Sequence, residues 1–316
     1  HQLDRARPLW EMWIIEGLEG DRFAMISKMH HCMLDGEAGA DLAQILMSPD
    51  PGRTLAPEAP AFIPRPAPAG IDLLRDEVIR RLSLPLKAVR SFQALGQESA
   101  DVRQEIAIRA RALGELVGWA VRAPSETPIN GNLGPHRRFD WLTTPLAEVK
   151  AVRRALGCTV NDVVLATVTG AVRDFLIRRR VRPEAIDFRV SAPVSVRREE
   201  QKGGMGNQVS SWIIRLPVGE ADPLARMRAL HEMTQELKES RQALGVEMMM
   251  AVAEFSPGML LSLGARAASG PINMIVTNVP GPQMPLYFLG SKLLHSFPMV
   301  PLLENTGLGV AIFSYD

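Results

Sequence analysis

The stretch HHCMLDG at residues 30–36 stands where an apolar strand pattern ends and a helical pattern begins. Apolar runs on both sides of a turn at 17–21 predict a hairpin with strands over 9–16 and 22–32, and helical spacing from residue 35 ends at Ser48-Pro49. Because successive side chains on a strand point to opposite faces, His30 and His31 cannot both line one cavity. One of them is a candidate base, and the other is expected to pack.

The composition indicates a globular protein. The chain has 316 residues, 46% hydrophobic and 22% charged, with a formal net charge of +1. This length favours two lobes, the composition argues against disorder, and the balanced charge argues against nucleic-acid partners. Two cysteines, Cys32 and Cys158, form neither a disulfide framework nor a zinc motif and fit a reducing cytoplasm. No signal peptide opens the chain, and prolines and glycines break the uncharged stretch 267–291, so we expect no transmembrane helix there.

Seven prolines between Pro49 and Pro68 predict a stiff linker between lobes. We therefore expect an N-terminal portion over 1–48, a linker over 49–70 and a C-terminal lobe over 71–316 that begins with arginine-rich amphipathic helices over 71–122. Beyond a loop at 124–135 the pattern alternates and predicts a layered α/β fold with mixed sheets. The expected strands are 137–143, 186–196, 209–218, 273–279, 286–296 and 308–314, and the expected helices are 146–155, 160–179, 223–244 and 247–268.

Several motifs, in this order, give the chain a resemblance to a known family. They are HHxxxDG, the PLW at 8–10, the ND at 161–162, the PVSVR at 193–197, the GN at 206–207 and the TNVPGP at 277–282. Together they resemble the bifunctional wax ester synthase/diacylglycerol acyltransferase family, within the superfamily that has the chloramphenicol acetyltransferase fold. The resemblance implies a two-lobed protein with an active-site tunnel between the lobes. Because only 29 residues precede His30, we expect the N-terminal lobe to be truncated, and the end at Ser314-Tyr315-Asp316 to be truncated too.

The resemblance implies a role for each motif residue. His31 is the general base, which suits an imidazole of pKa near 6.5 that takes a proton from an alcohol, and His30 gives structural support. Asp35 is expected to pair with Arg197, although a helix N-cap explains it as well. The remaining site residues are the substrate-side candidates Thr277, Asn278 and Gly281 and the structural candidates Gly36, Asn161 and Asp162.

The implied reaction moves a long-chain acyl group from acyl-CoA to diacylglycerol or a fatty alcohol. No cofactor beyond the co-substrate acyl-CoA and no metal are expected, and strand alternation argues against a covalent role for Cys32. These substrates imply a cytoplasmic protein that binds peripherally to a membrane or lipid-inclusion surface. The basic helix faces of residues 71–122 are the candidate contact with that surface, and they are equally consistent with ordinary solvated faces. Two alternatives stay open: a carrier-protein-dependent condensation or acyl-transfer enzyme of the same superfamily, and a non-catalytic lipid-binding lobe.

Overall fold

The computed structural model describes residues 3–30, 32–33, 39, 43, 45–52, 69–79, 124–195, 209–240, 272–303 and 305–315. The first structural unit is a hairpin, as predicted, but its second strand ends at Met29 and not at residue 32, because the N–H of Met33 turns back to bond the carbonyl oxygen of His30. The predicted strand alternation therefore does not extend to His30 or Cys32. Strand β1 (Trp10–Leu18) pairs antiparallel with β2 (Arg22–Met29), so that Trp10 lies opposite Met29. Gly20 and Asp21 both have positive φ, 76° and 52°, as a tight hairpin turn requires.

Only parts of the next two predicted segments belong to the described residues. Residues 39, 43 and 45–46 are helical, as expected after HHxxxDG, and residues 70–79 form a helix at the start of the predicted arginine-rich region. The rest of that region, and residues 53–68 of the linker, lie outside the described residues, so the lobe boundary stays a prediction. In the described ranges no single helix has the length and apolarity needed to cross a membrane, and the one helix pair that meets both criteria together, Leu146–Leu156 with Val160–Arg178, is bent by 101°.

Two consecutive helices follow, close to their predicted bounds. Helix α1 (Leu146–Leu156) ends at Gly157, whose φ of 65° places it in the left-handed conformation that glycine adopts without steric cost. Helix α2 (Val160–Arg178) begins at Thr159, whose side chain accepts a hydrogen bond from the backbone N–H of Asp162. The short break between the helices lets α2 turn away from α1 and pack against the sheet.

Four strands of the described residues form the central sheet: β3 (Phe188–Ser195), β4 (Val209–Leu216), β5 (Met274–Pro280) and β8 (Gly309–Ser314). Their order across the sheet is β4-β3-β5-β8. Strands β3 and β4 are antiparallel, whereas β5 runs parallel to both β3 and β8. Helix α3 (Pro223–Ser240) follows β4, and two-residue strands β6 (Tyr287–Phe288) and β7 (Ser291–Lys292) form a small hairpin between β5 and β8. The mixed α/β fold class is confirmed.

The hydrophobic core lies between the sheet and helices α2 and α3. Its fully buried side chains are Leu165, Leu176, Phe188, Val190, Ile214, Leu216, Leu230 and Met274. Each large apolar side chain removed from water contributes about 1.5–3 kcal/mol. The core therefore fixes α2 and β5, the two elements that carry the ND and TNVPGP motifs.

Two strand predictions require correction. Residues 137–143 form no strand, because no other described segment supplies ladder hydrogen bonds to them and every residue from 136 to 145 is exposed. Residues 286–296 form only the short β6–β7 hairpin, since Leu289 and Gly290 have φ of 48° and 86° and turn the chain. The predicted helix over 247–268 lies outside the described residues.

Candidate functional site

The histidine motif begins where β2 ends. The backbone N–H of His30 donates to the carbonyl oxygen of Leu9 at 2.9 Å, which extends the hairpin pairing by one residue. The ring Nδ1 of His30 accepts a hydrogen bond from the N–H of Cys32 at 3.2 Å, and the carbonyl oxygen of His30 accepts from Met33. The side chain of His30 is exposed, so the expectation that it packs is wrong, and it supports the turn through a local hydrogen bond instead.

Three fixed positions of HHxxxDG lie outside the described residues: His31, Asp35 and Gly36. The same holds for Arg197, the expected partner of Asp35. The base assignment and the Asp35–Arg197 pair therefore stay predictions.

A two-residue bridge connects the segment after the histidine motif to the segment after TNVPGP. Ser48 and Tyr287 exchange backbone hydrogen bonds of 2.9 and 2.8 Å, although 239 residues separate them in sequence (287 − 48). The rings of Phe23 on β2 and Phe288 on β6 lie 6.2 Å apart. The fold thus brings the hairpin that carries His30 next to the chain that leaves β5.

The three substrate-side candidates lie at the carboxyl end of β5. Thr277 and Asn278 are half-buried opposite Ala311 and Ile312 of β8, and Gly281 is buried, with its N–H donating to the carbonyl oxygen of Ser314 at 2.8 Å. A Cβ atom on Gly281 would lie against the Phe313 ring and 2.5 Å from that carbonyl oxygen. A side chain at Gly281 would therefore push β5 away from β8.

Gly281→Ala is expected to lower the free energy of unfolding by about 1–3 kcal/mol, because a methyl group must displace a backbone carbonyl in a packed strand pair. Urea denaturation measures the loss. Gly134→Ala is the matched control, since no atom lies within 4 Å of a Cβ atom at that position. Equal stabilities for the two variants would contradict the close approach.

The ND motif opens α2, where Asp162 takes part in capping the helix. The Asp162 carboxylate accepts a 2.8 Å hydrogen bond from the N–H of Thr159 and, with Thr159, forms a capping box. Only 1% of Asp162 is exposed. Asn161 is half-buried beside it in the first turn. The structure thus gives Asp162 a structural role.

Sequence reasoning missed two further partners of Asp162, both on α3. His231 Nδ1 lies 2.8 Å from one carboxylate oxygen, and the Thr234 hydroxyl donates to the other at 2.7 Å. A histidine and a threonine three residues apart share one helix face, which is the signal that could have indicated a common contact. The Asp162 carboxylate therefore joins the start of α2 to the middle of α3.

The pKa of Asp162 is lowered in the folded protein. Burial favours the neutral carboxyl and raises the pKa, but hydrogen bonds from His231, the Thr159 backbone and Thr234 outweigh it. A folded pKa below the unfolded value of about 3.9 stabilises the protein above that pH. The contribution is lost as the pH falls through the folded pKa.

The stability difference between wild type and Asp162→Asn is consequently expected to shrink as the pH falls from about 6 to below the unfolded Asp pKa of about 3.9. Urea denaturation across this range measures it, with each variant compared at the same pH. A difference that stays constant, or that grows in acid, would contradict a lowered pKa of Asp162.

A cavity of about 110 Å³ adjoins this network and is lined in part by Cys158, Met227, Arg228 and His231. Burial raises the pKa of the Cys158 thiol, and the negative charge of Asp162 raises it further. A protonated thiol is a weak nucleophile, so Cys158 is not set up for acyl-enzyme chemistry. Within the described ranges, no three His, Cys, Asp or Glu side chains come together as a metal site.

Comparison with known proteins covers both parts of the chain. The family model for the wax ester synthase/diacylglycerol acyltransferase catalytic domain matches residues 1–164, and the model for the C-terminal domain of the same family matches residues 205–316. The first match contains the HHxxxDG and ND motifs, and the second contains TNVPGP.

Individual relatives agree with these matches. A Mycobacterium tuberculosis protein named as a putative diacylglycerol O-acyltransferase is 34% identical over 99% of this chain and 62% of its own length. A Mycobacterium bovis protein with a name of the same kind is 31% identical over 99% of this chain and 66% of its length. The chain thus spans about three fifths of the length of the curated relatives that it matches.

A solved structure confirms the fold. The wax ester synthase/diacylglycerol acyltransferase from Marinobacter aquaeolei VT8 superposes with a TM-score of 0.64 at 23% identity, covering 100% of this chain and 64% of that one. The motif order, the two family matches and the shared fold agree with one another. The chain belongs to the wax ester synthase/diacylglycerol acyltransferase family.

Proposed function

We propose that the protein is an O-acyltransferase that moves a long-chain acyl group from acyl-CoA to the hydroxyl of diacylglycerol or of a fatty alcohol. The products are triacylglycerol and wax ester, respectively. The observation that carries the proposal is the catalytic-domain match over residues 1–164, which includes the complete HHxxxDG motif.

His31 is the proposed general base. The acceptor oxygen attacks the thioester carbonyl while the imidazole takes its proton, the C–S bond then breaks, and the CoA sulfur receives the proton. The complete HHxxxDG motif within the catalytic-domain match supports this assignment, since the resemblance gives the base role to the second histidine.

The negative oxygen that develops on the thioester carbonyl needs hydrogen-bond donors. We assign this role to the end of β5, where Thr277 and Asn278 offer a hydroxyl and an amide on half-buried positions. The Ser48–Tyr287 bridge supports the assignment, since it joins the chain beyond β5 to the chain beyond the histidine motif. Asp35 and Arg197 are proposed to hold the motif loop as an ion pair.

Acyl-CoA serves as the co-substrate in this scheme, without a further cofactor. Both acceptor classes reside in membranes or lipid inclusions, so the protein is proposed to work in the cytoplasm while peripherally bound to such a surface. Triacylglycerol and wax ester would then be delivered directly into the lipid phase.

The test is product formation from radiolabelled palmitoyl-CoA with diacylglycerol or hexadecanol, resolved by thin-layer chromatography. We expect labelled triacylglycerol or wax ester that increases with protein concentration. Labelled free palmitate alone would indicate a hydrolase. Product from a palmitoyl carrier protein but not from palmitoyl-CoA would favour the condensation-type enzyme of the same superfamily.

A further inference from the structure

A cluster of exposed aromatic and apolar side chains, here called the aromatic patch, consists of Phe139, Trp141, Leu142, Phe297 and Met299. Their exposed fractions are 42, 60, 84, 38 and 66%, respectively. The Trp141 ring lies 5.9 Å from Phe139 and 5.4 Å from Phe297, measured between centroids. Leu142 directly follows Trp141 in sequence, and Met299 lies two residues after Phe297. The patch is thus a cluster of three rings with two exposed apolar side chains close to it along the chain.

Exposed apolar side chains are common singly, but a contiguous aromatic cluster marks a contact surface. Neither segment of the patch is part of a helix or strand, so the patch offers no free sheet edge to a pairing strand. Its aromatic rings contact one another. This arrangement presents apolar rings while the irregular backbone keeps polar groups available to water.

The two sequence segments that carry the patch hold mostly positive charges. Over residues 136–143 and 291–299 the basic residues are Arg137, Arg138 and Lys292, against Asp140 as the acidic residue. Two other elements with exposed apolar side chains carry a net negative charge. The β1–β2 hairpin, residues 10–29, carries four acidic and two basic residues, and the helix of residues 70–79 carries three acidic and one basic.

We propose that the aromatic patch is the surface through which the protein docks on an anionic lipid–water interface. Tryptophan and phenylalanine favour the headgroup region, where a ring contacts acyl chains and polar groups stay hydrated. Arg137, Arg138 and Lys292 add attraction to anionic headgroups. The proposal rests on the proposed function for the purpose of docking, which is access to lipid acceptors. The location of the docking surface rests on the patch alone.

The experiment is co-sedimentation of the full chain with vesicles of phosphatidylcholine, alone or mixed with phosphatidylglycerol, at low and high salt. The patch variant is Leu142→Asp with Met299→Asp, two highly exposed positions outside helices and strands. Burying two such side chains in lipid contributes enough that the variant should bind anionic vesicles at least about tenfold more weakly. Wild-type binding should weaken as salt rises.

The matched control is Ile177→Asp with Leu224→Asp, which adds the same charge at positions outside the patch that are exposed by 50 and 48%. It should bind like wild type, and circular dichroism should show the same fold for all three proteins. Retained binding by the patch variant, or no wild-type binding to either vesicle type, would overturn the proposal. Wild-type self-association that the patch variant abolishes, without vesicle binding, would identify a protein interface and overturn it as well.

Vesicle binding is measured without acyl-CoA, and palmitoyl transfer to a short-chain alcohol dissolved in buffer is measured without vesicles. Wild-type protein that transfers palmitate but binds neither vesicle type, or a patch variant that binds like wild type, would therefore overturn the docking face and leave the proposed function standing. Intact patch-dependent binding without transfer would do the reverse.

Discussion

Replacement of His31 by alanine is expected to lower the rate of acyl transfer by about 10²–10⁴-fold, the usual contribution of a general base. An alcohol attacks a thioester slowly at neutral pH unless a neighbouring group takes its proton. Steady-state release of CoA with hexadecanol as the acceptor measures the rate, and thermal unfolding shows that the variant is folded.

His30→Ala is the control for this experiment. The His30 side chain is exposed and accepts one local hydrogen bond from Cys32, so its loss is expected to cost about 1 kcal/mol of stability. The transfer rate should stay within a few-fold of wild type. A folded His31→Ala protein with the wild-type rate, or a larger rate loss from His30→Ala, would contradict the base assignment.

Asp162→Ala is expected to lower the free energy of unfolding by about 2–4 kcal/mol, the largest stability effect of any substitution considered. The buried carboxylate accepts hydrogen bonds from Thr159, His231 and Thr234. Its removal takes the acceptor away from the helix-terminal N–H of Thr159 and from the His231 ring, while the Thr234 hydroxyl keeps the carbonyl oxygen of His231 at 3.0 Å. Urea denaturation with a fitted m-value measures the loss.

Asp174→Ala is the matched control, since Asp174 lies on the same helix but is exposed. Its effect on the free energy of unfolding should stay within about 0.5 kcal/mol.

His231→Ala combined with Asp162→Ala should lower the free energy of unfolding by less than the sum of the single variants, because the two residues share an interaction. Additive costs, or equal costs for Asp162→Ala and Asp174→Ala, would show that the contact contributes nothing.

The parts of the fold that depend on local signals were predictable from the sequence. The β1–β2 hairpin follows from two apolar runs around the turn at Gly20 and Asp21, and α1 and α2 end and begin at Gly157 and Thr159. The segment 137–143 shows the limit of such reasoning. Its apolar and aromatic residues satisfy a strand pattern, but a strand also needs a neighbour to complete its hydrogen bonds, and sequence does not report that neighbour.

The candidate site likewise has one part that could be predicted from local sequence and one part that could not. The motif at residues 30–36 could be found because its residues are consecutive, and the position of His30 at the end of β2 followed from the hairpin. The contact between Asp162 and His231 joins residues 69 apart in sequence on different helices. No periodic pattern links them, because the contact depends on how α3 packs on α2.

The central claim is acyl transfer by direct attack of an acceptor hydroxyl on acyl-CoA, and the most direct test is whether CoA release depends on that hydroxyl. The initial rate of thiol release from palmitoyl-CoA is measured with diacylglycerol, with hexadecanol, with hexadecane and without an acceptor. We expect release with one or both of the hydroxyl-bearing lipids and little with hexadecane or buffer. Equal release in all four reactions, or none in any, would contradict the claim.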